Sequence, residues 1–326
     1  MILSKDLGID LGTENTLICD RKGRIIIREP SVVAVDVKTR RVLATGNEAK
    51  AMIGRTPGSI IAVKPLKDGV IADFDMTADM LHSFIYRSSK TSVFSKTRVV
   101  ITVPSGVTEV ERRAVEDAAR AAGAQEVELI EEPMAAALGA GLPVFEATGS
   151  MVVDIGGGTC DIAVISLGGI AARKSVKIAG NTLNEEIIGY MKRNYELLIG
   201  DVTAEDIKIK IGSVAEYDGE GAMEVRGRNL INGLPSSAEI TSAEIREVLL
   251  EPVGEIISAI REVLEVTLPE LAADIIDRGI YLTGGTAQLR GLADLISKKT
   301  SIAVHIPEKP MEAVAVGTSI KLRRAR

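Results

Sequence analysis

Short β-branched runs alternate with longer amphipathic stretches along the chain. Residues 7–11, 16–19 and 24–27 read as strands between turn signals, and another apolar run follows Pro30-Ser31 at 32–35, so a meander opens the chain. From 42 to 66 the elements are short and broken by Gly46, Gly54, Pro57, Gly58 and Pro65, which suits a small inserted unit bounded near 31 and 67. Met76 to Lys90 has helical periodicity, and Val99 to Pro104 reads as a buried strand. Thr108-Glu109-Val110-Glu111 has capping-box spacing and predicts a helix to about Ala122 that stops at Gly123. A strand at Val127 to Ile130 then delivers Glu131-Glu132-Pro133 to an alanine-rich helix, Met134 to Ala140.

The second half repeats the plan. Strands are expected at 151–155 and 161–166, helices at 183–199 and 203–212, and a loop-rich hairpin region at 213–240. Helices follow from about 241 to 265, then a strand at Gly279 to Leu282 and helices near 286–299 and 310–323. This alternation predicts α/β layers.

At 326 residues the chain can fill two domains or four small subdomains, and a hydrophobic fraction of 46% fits a globular protein. A net charge of −6, with no long charged run, makes nucleic acid a poor partner. Two cysteines, Cys19 and Cys160, suit a reducing cytosol. Met1-Ile2-Leu3 leads directly into a strand, and no segment holds about 18 continuous apolar residues, so neither secretion nor membrane spanning is expected.

One pattern occurs twice: an apolar strand, Asp, a small-residue turn, then Thr. The copies are Gly8-Ile9-Asp10-Leu11-Gly12-Thr13-Glu14-Asn15-Thr16 and Met151-Val152-Val153-Asp154-Ile155-Gly156-Gly157-Gly158-Thr159-Cys160-Asp161. Asp10 and Asp154 would hold Mg²⁺ mainly through retained waters, because that ion dehydrates reluctantly. Backbone amides of Thr13, Glu14 and Asn15 on one side, and of Gly156, Gly157, Gly158 and Thr159 on the other, would face phosphates. Two related halves closing on a polyphosphate are therefore expected. Thr283-Gly284-Gly285-Thr286 follows a strand and opens a helix, so it is either a nucleoside-facing turn or a tight structural one. One of Glu131 and Glu132 could orient water for attack on a γ-phosphoryl group; alternatively the pair simply favours a helix start. Two distant histidines and the absence of Gly-x-x-x-x-Gly-Lys-Ser/Thr remove zinc, His-triad and P-loop chemistry.

Asp10-Leu-Gly-Thr, Glu132-Pro, Asp154-Ile-Gly-Gly-Gly-Thr and Thr283-Gly-Gly occur in the order seen in the actin, heat-shock ATPase and sugar-kinase superfamily. Glu29-Pro-Ser-Val-Val-Ala, Lys67-Asp-Gly-Val-Ile-Ala-Asp, Glu111-Arg-Arg-Ala, Leu129-Ile-Glu-Glu-Pro-Met-Ala-Ala-Ala and Ile165-Ser-Leu-Gly-Gly-Ile narrow this further. The chain resembles the MreB family, bacterial actins of rod-shaped cells, from end to end.

The resemblance implies an actin-like α/β fold of four subdomains: IA at 1–31 and 67–145, IB at 32–66, IIA at 146–182 and 241–326, and IIB at 183–240. It implies ATP with Mg²⁺ in a central cleft, and a slow ATPase coupled to assembly into paired, antiparallel filaments. The location implied is cytoplasmic, peripheral at the inner face of the membrane, with cell-wall elongation proteins as partners. Glu132 would position the hydrolytic water, with Thr159 at the phosphates and Asp161 beside them. Glu205, Asp206, Ile207 and Lys208 would approach the adenosine, as would the turn Gly284, Gly285, Thr286 and Ala287. Val93 and Phe94 lie at the position of the family's membrane-inserting loop.

Three departures stand out. Cys160-Asp161 replaces a common Thr-Glu, Thr286 replaces a glycine, and residues 216–228 carry no clear match to the family. The rival readings are a heat-shock-type chaperone and a small-molecule kinase.

Overall fold

The computed structural model describes residues 5–89 and 97–324. The first half opens with β1 (Lys5–Leu11), β2 (Asn15–Asp20), β3 (Ile25–Pro30), β4 (Val33–Asp36) and β5 (Val42–Thr45). It continues through α1 (Asn47–Lys50), β6 (Ile60–Val63), β7 (Leu66–Lys67), β8 (Val70–Ile71) and α2 (Phe74–Ser89). β9 (Thr97–Val103), α3 (Glu109–Ala121), β10 (Glu126–Glu131) and α4 (Glu132–Gly139) complete it.

The second half begins with β11 (Ser150–Ile155), β12 (Cys160–Ser166), β13 (Gly169–Val176), α5 (Gly180–Asn194), β14 (Leu197–Leu198) and α6 (Asp201–Ile211). β15 (Ala222–Asn229), β16 (Pro235–Thr241), α7 (Ser242–Glu265), α8 (Pro269–Arg278) and β17 (Ile280–Thr283) follow. α9 (Leu292–Thr300), β18 (Val304–His305) and α10 (Ala313–Arg324) close the described chain.

Two five-stranded sheets carry the fold, ordered β10-β9-β1-β2-β3 and β13-β12-β11-β17-β18. Their ladders match: β1 pairs parallel with β9 and antiparallel with β2, as β11 does with β17 and β12. The duplicated motif is thus a duplicated topology, with Asp10 and Asp154 near the carboxyl ends of equivalent strands. Small three-stranded sheets, β5-β4-β6 and β14-β15-β16, extend from the two halves.

Each large sheet has its own core. Leu7, Ile9, Met80, Phe84 and Ile101 are fully buried in the first, and Met151, Ile162, Leu183 and Ile260 in the second. A third cluster joins the halves through Ala135, Ala136, Val152, Ala163, Val314 and Leu322. Here α4 crosses α10 so closely that a Cβ on Gly139 would lie 1.8 Å from the Ala313 carbonyl oxygen, and one on Gly317 1.8 Å from that of Ala135.

This packing changes the expected partition. The sequence pattern places 241–326 with the second half, whereas α10 packs on α4, β1, β2 and β9 of the first. The Cys19 thiol donates to the Ala315 carbonyl, and Lys321 pairs with Glu128. Local pattern does not encode such a return across the molecule.

Other boundaries moved for local reasons. The helix expected over 183–199 spans Gly180–Asn194 and is followed by Glu196 in a left-handed conformation (φ 50°). The one expected over 286–299 is a 3₁₀ turn at Thr286–Gln288 and then α9, separated by Gly291 at φ 78°. α4 starts at Glu132, two residues before the expected Met134, because Pro133 is tolerated in a first turn. α8 and β13 were missed.

Candidate functional site

The turns after β1 and β11 meet face to face. A Cβ on Gly158 would come within 2.5 Å of the Thr13 hydroxyl, and one on Gly157 within 2.2 Å of Glu14 Cγ, so bare backbone is required at both positions. Thr13 is held in turn by the Gly69 amide, which donates to its Oγ1 at 2.9 Å. Glu14 pairs with Lys64 of the following segment. Between the halves lies a cavity of about 490 Å³, lined by Asp10, Glu132, Asp154, Thr159 and both turns, Asn15 included. That volume suits a nucleotide-sized ligand.

Three carboxylates, Asp10, Glu132 and Asp154, line the floor, and a fourth, Asp161, is buried close by. Asp154 is fixed by the Thr283 hydroxyl, which donates to its Oδ1 at 2.6 Å. Burial, opposed by that bond and reinforced by Asp161, still pushes Asp154 up to about 7. Burial and the nearby Asp154 push Asp10 up to about 8. Glu132 is raised well above the ordinary range by burial and then by Asp161, Asp10 and Asp154. Burial also lifts Asp161 to about 6, although the Ser105 amide donates to its Oδ1 at 2.8 Å.

Concentrated negative charge with little solvent is a site arranged for a cation. Asp161 Oδ2 is buried and, among the described residues, makes no close hydrogen bond, although the Ser175 and Thr159 side chains stand near the carboxylate. Among the described residues no three acidic, histidine or cysteine side chains converge closely enough to cage a metal alone. A cation here would share its coordination sphere with water or phosphate, as Mg²⁺ prefers, and oxygen donors at Asp10 and Asp154 fit that ion.

At the other end of the cavity, Lys208 donates to the Gly180 carbonyl at 2.9 Å and to Glu205 at 2.7 Å, and Asn184 donates to the same Glu205 oxygen at 2.8 Å. Ile209, Leu289, Pro310 and Met311 supply an apolar wall there. Glu205, Lys208 and Ile209 line the cavity because spacings of three and four share a helical face.

Not every expected residue joins them. Asp206 pairs with Lys210 on the exposed side of α6, while Ile207 is buried in the core. Ala287 is likewise a core residue. Gly284, Gly285 and Thr286 line the cavity, and Asp161 stands behind its wall. Thr286, which replaces a family glycine, is largely buried at the edge of the cavity. Its hydroxyl donates to the Gly156 carbonyl at 3.0 Å and ties the third turn to the triple-glycine turn. Val93 and Phe94 lie outside the described residues.

Sequence reasoning overlooked Gly69, Lys64 and Ser105 as parts of this site. The Asp68-Gly69 dipeptide was a usable turn signal, whereas the other two act only through long-range contacts.

Comparison with known proteins agrees with this geometry. A sequence model of the MreB/Mbl protein family matches residues 4–326. The chain is 52% identical over 321 residues to the cell shape-determining protein MreB of Escherichia coli (strain K12), covering 97% of this chain and 92% of that one. It is 49% identical over 321 residues to the cell shape-determining protein Mbl of Bacillus subtilis (strain 168), covering 98% and 96%. Crystal structures of MreB5 of Spiroplasma citri bound to ADP and to AMPPNP each superpose with a TM-score of 0.93 at 39% identity, covering 98% of this chain and 96% of theirs. The MamK double helical filament shares the fold at 22% identity, with a TM-score of 0.84 and coverage of 99% and 100%.

Proposed function

Because the chain belongs to the MreB/Mbl family and has the actin-like fold, we propose that it is a cytoskeletal ATPase whose filaments determine cell shape by organising wall elongation. The observation that carries this reading is the closure of two equivalent aspartate-bearing turns over one cavity, with Glu132 at its floor. Backbone amides of the turns hold the phosphates of ATP, and Glu205 with Lys208 faces the nucleoside. Asp10 and Asp154 would hold Mg²⁺ largely through water, and the ion would supply charge neutralisation at the phosphates. Glu132 orients the attacking water, in a reaction where positioning provides much of the catalysis. Asp161 acts on Glu132 through its charge from behind the cavity wall.

ATP bound across the cleft favours the closed arrangement and so the assembled state, and hydrolysis loosens it. Filaments are paired and antiparallel, and lie at the cytoplasmic face of the membrane. Among the described residues no helix is long and apolar enough to cross a bilayer, so attachment is assigned to Val93 and Phe94. One such pair of apolar side chains, at roughly 1.5–3 kcal/mol each when buried, binds transiently, and a filament repeats it.

Electron microscopy of the purified protein on lipid vesicles tests this. Paired straight filaments on the vesicles with Mg-ATP, absent without nucleotide, are the expected result. Dispersed particles in both conditions, despite proven ATP binding, would move the assignment to a chaperone or small-molecule kinase of the same fold.

A further inference from the structure

One face of β13 is directed at the other half of the molecule. In the β12–β13 register Asp161 stands opposite Ser175 and Ala163 opposite Arg173, which places Arg173 and Ser175 on the face that carries Asp161. Lys174, on the opposite face, pairs instead with Glu262 of α7. Arg173 Nη1 donates to both carboxylate oxygens of Glu131, at 3.0 and 2.7 Å. Ser105 connects this pair to the site: its hydroxyl donates to Glu131 at 3.1 Å and its amide to Asp161 at 2.8 Å. Two residues beyond Ser175, Lys177 lies 3.8 Å from Asp68.

Glu131 is the residue from which α4 departs. It occupies the N-cap position in extended conformation, yet no side chain caps the helix, because the Glu131 carboxylate is turned to Arg173 and Ser105. The next residue, Glu132, lines the nucleotide cavity, whereas Glu131 lines a separate hollow of about 550 Å³ with Arg112 and Arg173. An anchor on Glu131 therefore fixes the backbone from which Glu132 projects, and it reaches from β13 of the second half to the first.

We propose that Arg173 is a positioning residue for hydrolysis: by clamping Glu131 across the cleft, it seats Glu132 against the water it orients. This rests on the ATPase reading above. The Arg173 side chain is 47% exposed and that of Glu131 22%, so the pair adds little to global stability and its effect falls on geometry.

The test is steady-state phosphate release by the full chain, with filament yield measured by pelleting and nucleotide affinity with a fluorescent ATP analogue. Arg173→Ala is expected to lower kcat about five-fold, as loss of ~1 kcal/mol of positioning would, with KM within about two-fold and melting temperature and filament yield unchanged. The charge-swapped pair Glu131→Arg, Arg173→Glu should recover most of the rate. Arg112→Ala, in the same hollow but without an ion pair among the described residues, should leave it unchanged. Wild-type kcat in Arg173→Ala alongside a slow Glu132→Ala would overturn the inference and leave the ATPase reading intact. A rate loss that only tracks lost filament yield, or that the charge swap does not relieve, overturns it equally. Absence of phosphate release by the wild-type chain would instead remove the ATPase reading itself, and unimpaired release in Glu132→Ala would remove Glu132 from the mechanism; either takes the inference with it.

Discussion

Asp154 and Asp161 stand directly opposite one another in the β11–β12 ladder, two buried carboxylates where a sheet ordinarily avoids like charges. Each gains protons on folding, since burial lifts Asp161 to about 6 and Asp154 to about 7, and Asp10 nearby to about 8. A raised carboxylate is fully tolerated below its unfolded value near 4 and costs stability as pH climbs through the folded value.

The nucleotide-free protein should therefore lose thermal stability between about pH 5 and pH 8, and Mg-nucleotide should stabilise it more at pH 8 than at pH 5. Differential scanning calorimetry at both pH values, with and without Mg-AMPPNP, checks this. A melting temperature that is flat or rises across that window contradicts the electrostatic account.

Asp154→Asn removes one charge and keeps an acceptor for the Thr283 hydroxyl. The free protein should become more stable at pH 8 by about 1 kcal/mol or more, while Mg-ATP affinity falls at least ten-fold. Urea midpoints and titration calorimetry report the two effects, and a variant losing both stability and affinity would speak against it.

The α4–α10 crossing makes a contrast between two glycines. Gly317→Ala sets a Cβ 1.8 Å from backbone and should cost about 3 kcal/mol, the upper end of overpacking. Gly254→Ala, exposed within α7 with nothing within 4 Å, should stabilise by roughly 0.8–1 kcal/mol. Chemical denaturation decides both signs.

Glu132→Ala should bind ATP and assemble normally but release phosphate at least 100-fold more slowly. Malachite-green assays on pelleted filaments measure this, and an unaltered rate would remove Glu132 from the mechanism.

Val93→Asp with Phe94→Asp should polymerise yet fail to float with lipid vesicles. Persistent co-flotation would place the membrane anchor elsewhere.

Features written in contiguous residues were legible in the sequence. The Thr108–Glu111 capping box forms as spaced, with reciprocal bonds between the two residues, and both aspartate-bearing turns line the cavity. Features that depend on distant partners were not. Nothing near Arg173 announces Glu131, and nothing in 310–323 announces β1. Asp206 and Ile207 illustrate a finer limit: a motif names a segment, but only helical phase decides that Glu205 and Lys208 line the cavity.

The α10 return also sets a timetable for synthesis. Cys19 waits for Ala315, 296 residues downstream, so while the chain emerges from the ribosome the face of β1 and β2 that α10 will cover stays open. Long-range closure of this kind slows folding and leaves apolar surface available to other nascent chains. Incomplete molecules must therefore be kept apart, and chaperone demand should be greatest for chains truncated just short of residue 313.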